Sequence, residues 1–291
     1  MDYDIAYYEY YDCAESDHVV YTSESGNEHY CVYYIYTPKD AEIDESTPVI
    51  VHVTHGGGVA DEERAFALNC AANQDTEAIF IVPWTDRPDA VCAAVEDAKS
   101  RLNGKGNFDA LCGEGTSSGG RAIIRIALES VNPEQDYSFR FASICAYDPT
   151  EETNDTRISG RTEDLRRLAE KGTVLFIQTD SDHTGHHGGS GGCCNRYARA
   201  YSEAGGTAII AEIRNSARHE RKFTKPLTHN SINWAIGRGM LEEDEYFGND
   251  WFYYRNGEKI PSTLEEVTDL LQPDRQAPKT EPAPAKTKNA A

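Results

Sequence analysis

The sequence predicts an α/β fold: a doubly wound, mostly parallel sheet with helices on both faces. Three observations predict it. Short apolar runs of strand length recur between Pro48 and Ile213. Segments with an apolar face at helical spacing separate them. The strand at Pro48 to Thr54 is also apolar almost throughout, as a strand buried on both faces must be.

Taken in order, residues 1–29 form a Tyr-rich N-terminal segment, expected as an edge strand or a wrap around the body. Tyr30 to Tyr36 is β-rich and stops at Thr37-Pro38. An acidic loop, Asp40 to Ser46, leads to the strand Pro48–Thr54, which ends in His55-Gly56-Gly57-Gly58. A helix is expected over Asp61–Ala72, a strand over Ala78–Pro83 and a helix over Asp89–Leu102, where Val91, Ala94, Val95 and Ala98 share a face. The strand Phe108–Cys112 follows, then the helix Ser118–Val131 and the strand Phe139–Tyr147. Next come a helix over Glu163–Lys171, a strand over Thr173–Gln178, a helix over Cys193–Ala204 and a strand over Thr207–Ile213. A last helix is expected near Pro226–Met240. Residues 30–240 thus read as one domain and 241–272 as a C-terminal appendage with an Asn256-Gly257 turn and a short helix, Ser262–Leu271. Residues 273–291, rich in Pro, Lys, Ala and Thr, read as a disordered tail.

Composition narrows the function. The 291 residues carry a formal charge of −21, which argues against nucleic acid and anionic membrane surfaces as partners. No apolar run approaches the length of a membrane span, and the acidic, aromatic start MDYDIAYYEYYD lacks the basic and apolar regions of a signal peptide. A cytoplasmic protein is expected. Its eight cysteines are then expected as thiols, several of them acting as small core hydrophobes.

The chemistry centres on Gly115-Thr116-Ser117-Ser118-Gly119. This is the G-x-S-x-G pattern of a serine held on a sharp strand-to-helix turn. The flanking glycines give room for close packing, and the helix N-terminus offers N–H groups to a developing negative charge. A second match, Gly188-Gly189-Ser190-Gly191-Gly192, follows a polar His-rich run with no strand before it, and reads as a loop. Upstream, His55-Gly56-Gly57-Gly58 can turn backbone N–H groups into a cavity and so supply an oxyanion hole.

An HGGG run after one strand and G-x-S-x-G after a later one, within this alternation of elements, resembles the α/β-hydrolase superfamily, in particular its serine esterases and lipases. The resemblance spans about residues 30–240. It implies a serine hydrolase that cleaves a small-molecule carboxylic ester and requires no cofactor and no metal. It further implies Ser117 as nucleophile and Gly57, Gly58 and Ser118 as oxyanion donors. The acid follows a later strand and the His follows the last one. Thr179-Asp180-Ser181-Asp182-His183 then offers Asp182 ahead of Asp180, with Asp148 in Ala-Tyr-Asp-Pro a third candidate. His219 is the expected base, with His229 as its alternative, although Arg218, Arg221 and Lys222 give His219 a basic setting that depresses an imidazole pKa. The run His183, His186, His187 and Cys193-Cys194 holds metal-ligand residue types, but no recognisable zinc spacing. An amidase, peptidase or acyltransferase would use the same residues, and a non-catalytic protein of this fold is the alternative from another class.

Overall fold

The computed structural model describes residues 11–15, 19–22, 26–39, 41–54, 78–150, 158, 160–180, 192–214 and 248–271, with Glu15 and Asp180 described by their backbone alone. The helices expected over residues 61–72 and 226–240 lie outside these.

Twelve strands are described: β1 (Tyr11–Glu15), β2 (Val19–Thr22), β3 (Glu28–Cys31), β4 (Tyr33–Pro38), β5 (Val49–Val53), β6 (Ile79–Pro83), β7 (Leu111–Thr116), β8 (Phe141–Tyr147), β9 (Val174–Asp180), β10 (Thr207–Ile213), β11 (Asn249–Arg255) and β12 (Glu258–Ser262). The described helices are α1 (Pro88–Arg101), α2 (Ser118–Glu129), α3 (Thr162–Glu170), α4 (Cys193–Glu203) and α5 (Leu264–Leu271). Ten of the strands form one sheet in the order β1-β4-β6-β5-β7-β8-β9-β10-β11-β12, and β2 pairs with β3 alone. The run from β6 to β10 is parallel. Antiparallel strands flank it on both sides.

The order of winding decides where a site can form. The chain goes from β5 outward to β6, then returns over β5 through α1 to β7 on β5's other side, and continues outward to β10. The direction therefore reverses between β5 and β7. Crevices open at the carboxyl ends of strands at such a reversal. Each crossover from β6 to β10 moves the same way, and right-handed connections then put α1, α2, α3 and α4 on the same face.

The two faces have separate cores. Val49, Val51 and Val53 of β5 pack with Ala90, Val91, Ala94 and Val95 of α1 and Ile123, Ile126 and Ala127 of α2. Ile50, Phe80, Cys112, Cys145 and Phe176 face the other way, toward Trp251 of β11 and Val267 of α5. Ile123, Ile126 and Leu128 are fully buried. Each such side chain stabilises the fold by about 2 kcal/mol relative to exposure. Tyr11 of the edge strand is buried edge-on against Phe80, 5.9 Å between ring centres. Among the described residues, no helix is long and apolar enough to cross a membrane.

The strand expected over Tyr30–Tyr36 is divided between β3 and β4, and two further boundaries that differ from those the sequence predicts bear on the site. The strand leading to Ser117 begins at Leu111 and runs on to Thr116. The preceding backbone is drawn off by the loop after β4: Gly106 and Asn107 N–H donate to the carbonyls of Asp44 and Thr47, each at 2.7 Å. The strand expected to stop at Gln178 continues to Asp180, because Thr179 and Asp180 pair with Glu212 and Ile213 of β10. The C-terminal segment is continuous with the sheet. β11 pairs with β10, and a turn at Asn256 and Gly257, with φ of 50° and 81°, returns the chain as β12.

Candidate active site

Ser117 stands at the end of β7, one residue before α2, at the reversal between β5 and β7. Its φ of 56° and ψ of −116° are a conformation that L-residues rarely adopt. Such strain costs of order 1–3 kcal/mol and persists only where the surroundings enforce it. Here they do. Ser117 N–H donates to the Tyr147 carbonyl at 2.8 Å, and its own carbonyl accepts from Arg121 N–H at 3.1 Å and Thr150 N–H at 3.2 Å. The elbow is thus tied to α2 and to the end of β8. The side chain is 2% exposed.

The glycines of the pattern are required sterically. A Cβ on Gly115 would lie 2.4 Å from the Gly119 carbonyl oxygen, and one on Gly119 would lie 2.2 Å from that of Val53. Both obstacles are backbone, so no rotamer change relieves them. Strand β7, helix α2 and strand β5 meet here without room for a methyl group. Ser118 opens α2, whose first turn has no acidic side chain to offset the positive end of the helix dipole.

Asp148 is the other expected residue brought to this place. It follows β8, is fully buried, and has a φ of 40°. Its N–H donates to the Gln178 carbonyl at 2.9 Å, and the residue before it accepts from Ser117. Asp148 therefore borders the elbow directly. The Asp180 backbone ends β9, paired with Ile213 at the end of β10. Asp182, His219, His229, Gly57, Gly58 and the His55-Gly56 start of the HGGG run lie outside the described residues, as do Ser190 and the His183, His186 and His187 loop.

Cys193 and Cys194 open α4 at this same end of the sheet, both buried. Cys193 donates to the Pro149 carbonyl at 2.9 Å, and Cys194 to the Thr179 hydroxyl at 3.6 Å. The hydrogen bond between the two thiols holds Cys193 below the ordinary thiol value and, with burial, pushes Cys194 well above it. The seven described cysteines are free thiols. Among the described residues, no group of three His, Cys, Asp or Glu is arranged to hold a metal ion.

Sequence reasoning missed a polar layer beneath the elbow. His52 and Glu114 are aligned on β5 and β7, each 2% exposed, with Nδ1 and Oε1 3.5 Å apart. Two residues nearer the site, Thr116, Tyr147 and Gln178 lie side by side on β7, β8 and β9, all buried. Among the described residues, neither amide atom of Gln178 has a hydrogen-bond partner. The signal was present: a His in Val-Ile-Val-His-Val and a Glu in Leu-Cys-Gly-Glu-Gly are titratable groups inside strands buried on both faces.

No protein-family model matches this sequence, and no curated protein is significantly similar to it. Solved structures are similar. One is from a study of two fungal esterases of Rhizomucor miehei, 14% identical, with 79% of this chain and 83% of that one aligned at a TM-score of 0.52. Another is carboxyl esterase 2 of the mycorrhizal fungus Tuber melanosporum, 14% identical, over 78% and 85% of the two chains at 0.53. A thermostable esterase from Pseudomonas putida is 13% identical over 80% and 84% at 0.51. The large, mostly parallel sheet with its helices matches these structures, and this chain has the α/β-hydrolase fold. At such identities the likeness establishes the fold, and the esterases named are what the chain is similar to.

Proposed function

We propose that the protein is a serine hydrolase of carboxylic esters, with Ser117 as its nucleophile. The observation that carries this reading is the Ser117 backbone. A non-glycine residue is held at φ 56° by three backbone hydrogen bonds, between glycines that admit no side chain, where the described parallel strands reverse their winding between β5 and β7. Strain of this kind presents a side chain rather than stabilising a fold. The esterases among the similar structures support the same reading.

In the mechanism, the Ser117 oxygen attacks the ester carbonyl carbon while His219 takes its proton. The carbonyl oxygen becomes an oxyanion held by the N–H groups of Gly57, Gly58 and Ser118. Collapse of this intermediate breaks the bond to the alkoxy oxygen, and His219 returns the proton to the departing alcohol. Water, deprotonated by His219, then attacks the acyl-enzyme and releases the carboxylic acid. Asp182 accepts from the imidazole N–H and stabilises the imidazolium. By sequence, Asp182 lies two residues past the end of β9 and His219 five past Arg214, the residue that follows β10. Burial against the elbow gives Asp148 the next claim on the acid role. No step needs a cofactor.

The test is labelling with a fluorophosphonate, alongside hydrolysis of 4-nitrophenyl acetate. Wild-type protein should label and turn over, and Ser117→Ala should do neither. Replacing the acid by Asn should lower kcat about 10⁴-fold. A loss of that size in Asp148→Asn and not in Asp182→Asn would move the role to Asp148. Wild-type protein that folds and neither labels nor hydrolyses would overturn the proposal.

A further inference from the structure

We propose that Cys193 and Tyr197 of α4 are positioning residues for Ser117, acting through the backbone of residues 147–150. The inference rests on the hydrolase reading and extends the machinery of that site to a helix that carries none of the triad candidates.

Strand β8 pairs with β7 and β9 as far as Tyr147. Asp148 then turns the chain at a φ of 40°. The carbonyls beyond this turn point away from the ladder, and a buried carbonyl left without a donor is costly. Helix α4 supplies the donors. The Cys193 thiol donates to the Pro149 carbonyl at 2.9 Å, and the Tyr197 hydroxyl to the Thr150 carbonyl at 3.2 Å. Cys193 and Tyr197 are four residues apart, so they share one face of α4, and both are buried.

The same short segment holds the elbow. The Tyr147 carbonyl accepts from Ser117 N–H at 2.8 Å, and Thr150 N–H donates to the Ser117 carbonyl at 3.2 Å. Thr150 therefore joins Ser117 through its N–H and Tyr197 through its carbonyl, across a single residue. Helix α2 presses on the segment as well: a Cβ on Gly120 would lie 3.1 Å from the Tyr147 carbonyl oxygen and 3.3 Å from the Pro149 Cα. Ser117 and Asp148 both have positive φ, and such strain persists only where the surroundings enforce it. For Asp148 the enforcement comes from β9, through the Gln178 carbonyl at 2.9 Å, and from the two α4 side chains. Releasing either side chain lets the turn relax, and Ser117 moves with it.

Tyr201 is the control within the same helix. It is one turn further on, and its buried hydroxyl donates to the Thr173 carbonyl at 2.6 Å, at the amino end of β9 and away from the elbow.

The experiment compares wild type with Tyr197→Phe, Cys193→Ala, Cys193→Ser and Tyr201→Phe. It measures the rate of fluorophosphonate labelling, kcat and KM for 4-nitrophenyl acetate, and urea unfolding. Tyr197→Phe and Cys193→Ala should each lower labelling and kcat roughly tenfold, part of the ~100-fold that a 1 Å displacement of a nucleophile costs, and leave KM within about twofold. Cys193→Ser keeps a donor for the Pro149 carbonyl and should label within about twofold of wild type. Tyr201→Phe loses a bond of the same kind, so it should lose as much stability as Tyr197→Phe and yet label at the wild-type rate. Equal labelling by Tyr197→Phe and Tyr201→Phe would overturn the proposal. A second arm needs no chemistry at Ser117. Amide hydrogen exchange of Ser117 and Thr150, followed by NMR, should be several-fold faster in Tyr197→Phe and unchanged in Tyr201→Phe. That result upholds the link from α4 to Ser117 even if the wild type neither labels nor hydrolyses and the hydrolase reading falls. Exchange unchanged in Tyr197→Phe removes the link and leaves the hydrolase reading intact.

Discussion

Replacing Gly119 by alanine sets the geometry of the elbow against the fold's ability to yield. The new Cβ would sit 2.2 Å from the Val53 carbonyl oxygen and 2.9 Å from that of Thr54, where ordinary contact begins near 3.4 Å. Strand β5 and helix α2 must then separate by about 1 Å, and both obstacles are backbone. Overpacking of this kind costs typically 1–3 kcal/mol and occasionally more, and we expect at least ~3 kcal/mol, because no side chain can rotate away. A 1 Å displacement of the nucleophile should also cost about 100-fold in reactivity. Gly104→Ala is the control. It has a φ of 76° but nothing within 4 Å of the added Cβ, so it tests backbone strain without crowding, at about 1 kcal/mol. Urea unfolding followed by circular dichroism gives the stabilities, and the rate of fluorophosphonate labelling gives the reactivity. A Gly119→Ala protein within 0.5 kcal/mol of wild type (roughly the scatter of a neutral surface change) that labels at the wild-type rate would refute the reasoning.

Two further predictions concern stability. Glu114→Ala removes the buried carboxylate 3.5 Å from His52, and should destabilise the protein by about 3 kcal/mol in urea unfolding. The double variant Glu114→Leu/His52→Leu should recover part of that loss, since two apolar residues replace a desolvated pair. The second follows from pH. Glu266 accepts from the Ser262 hydroxyl and the Thr263 N–H at 2.9 Å each, and these bonds hold its carboxyl below the ordinary value. The folded pKa is therefore the lower one. The stabilisation is complete above the unfolded value, about 4.3, and is lost as pH falls from there through the folded pKa. Amides of α5 should exchange faster as pH drops through that window, after correction for intrinsic rates, and Glu266→Gln should remove the pH dependence.

The fold was legible because burial on both faces leaves a mark in each strand alone. Val49–Val53 and Ile79–Pro83 are buried at every position, and their apolar runs show it without any knowledge of neighbours. The elbow was legible for a related reason: its steric demand falls on residues close in sequence, so Gly115 and Gly119 report it directly. Its exact register was not. The bonds that delay the start of β7 to Leu111 come from Asp44 and Thr47, more than sixty residues away. The extension of β9 through Asp180 likewise depends on β10 as a partner. This extension matters for the acid. It places the Asp180 backbone in the sheet ladder, while Asp182 lies by sequence two residues further on.

The polar layer under Ser117 escaped notice for a different reason. A histidine among valines and a glutamate among glycines each look like a local exception, and only the pairing of β5 with β7 makes them one feature. Burying such a pair is expensive, because desolvation offsets most of the attraction, so stability alone does not account for it. What the pair does have is position. Glu114, on β7, is three residues before Ser117, and His52, on β5, is by sequence three before His55. A pair of polar groups held 3.5 Å apart in a buried layer loses its attraction when β5 slides against β7, as two leucines would not. That register determines how far the Val53 carbonyl stands from Gly119, and so how the elbow is held. On this argument Glu114→Leu/His52→Leu should restore stability more fully than it restores fluorophosphonate labelling. Equal recovery of both would mean that the pair has no part in setting the elbow.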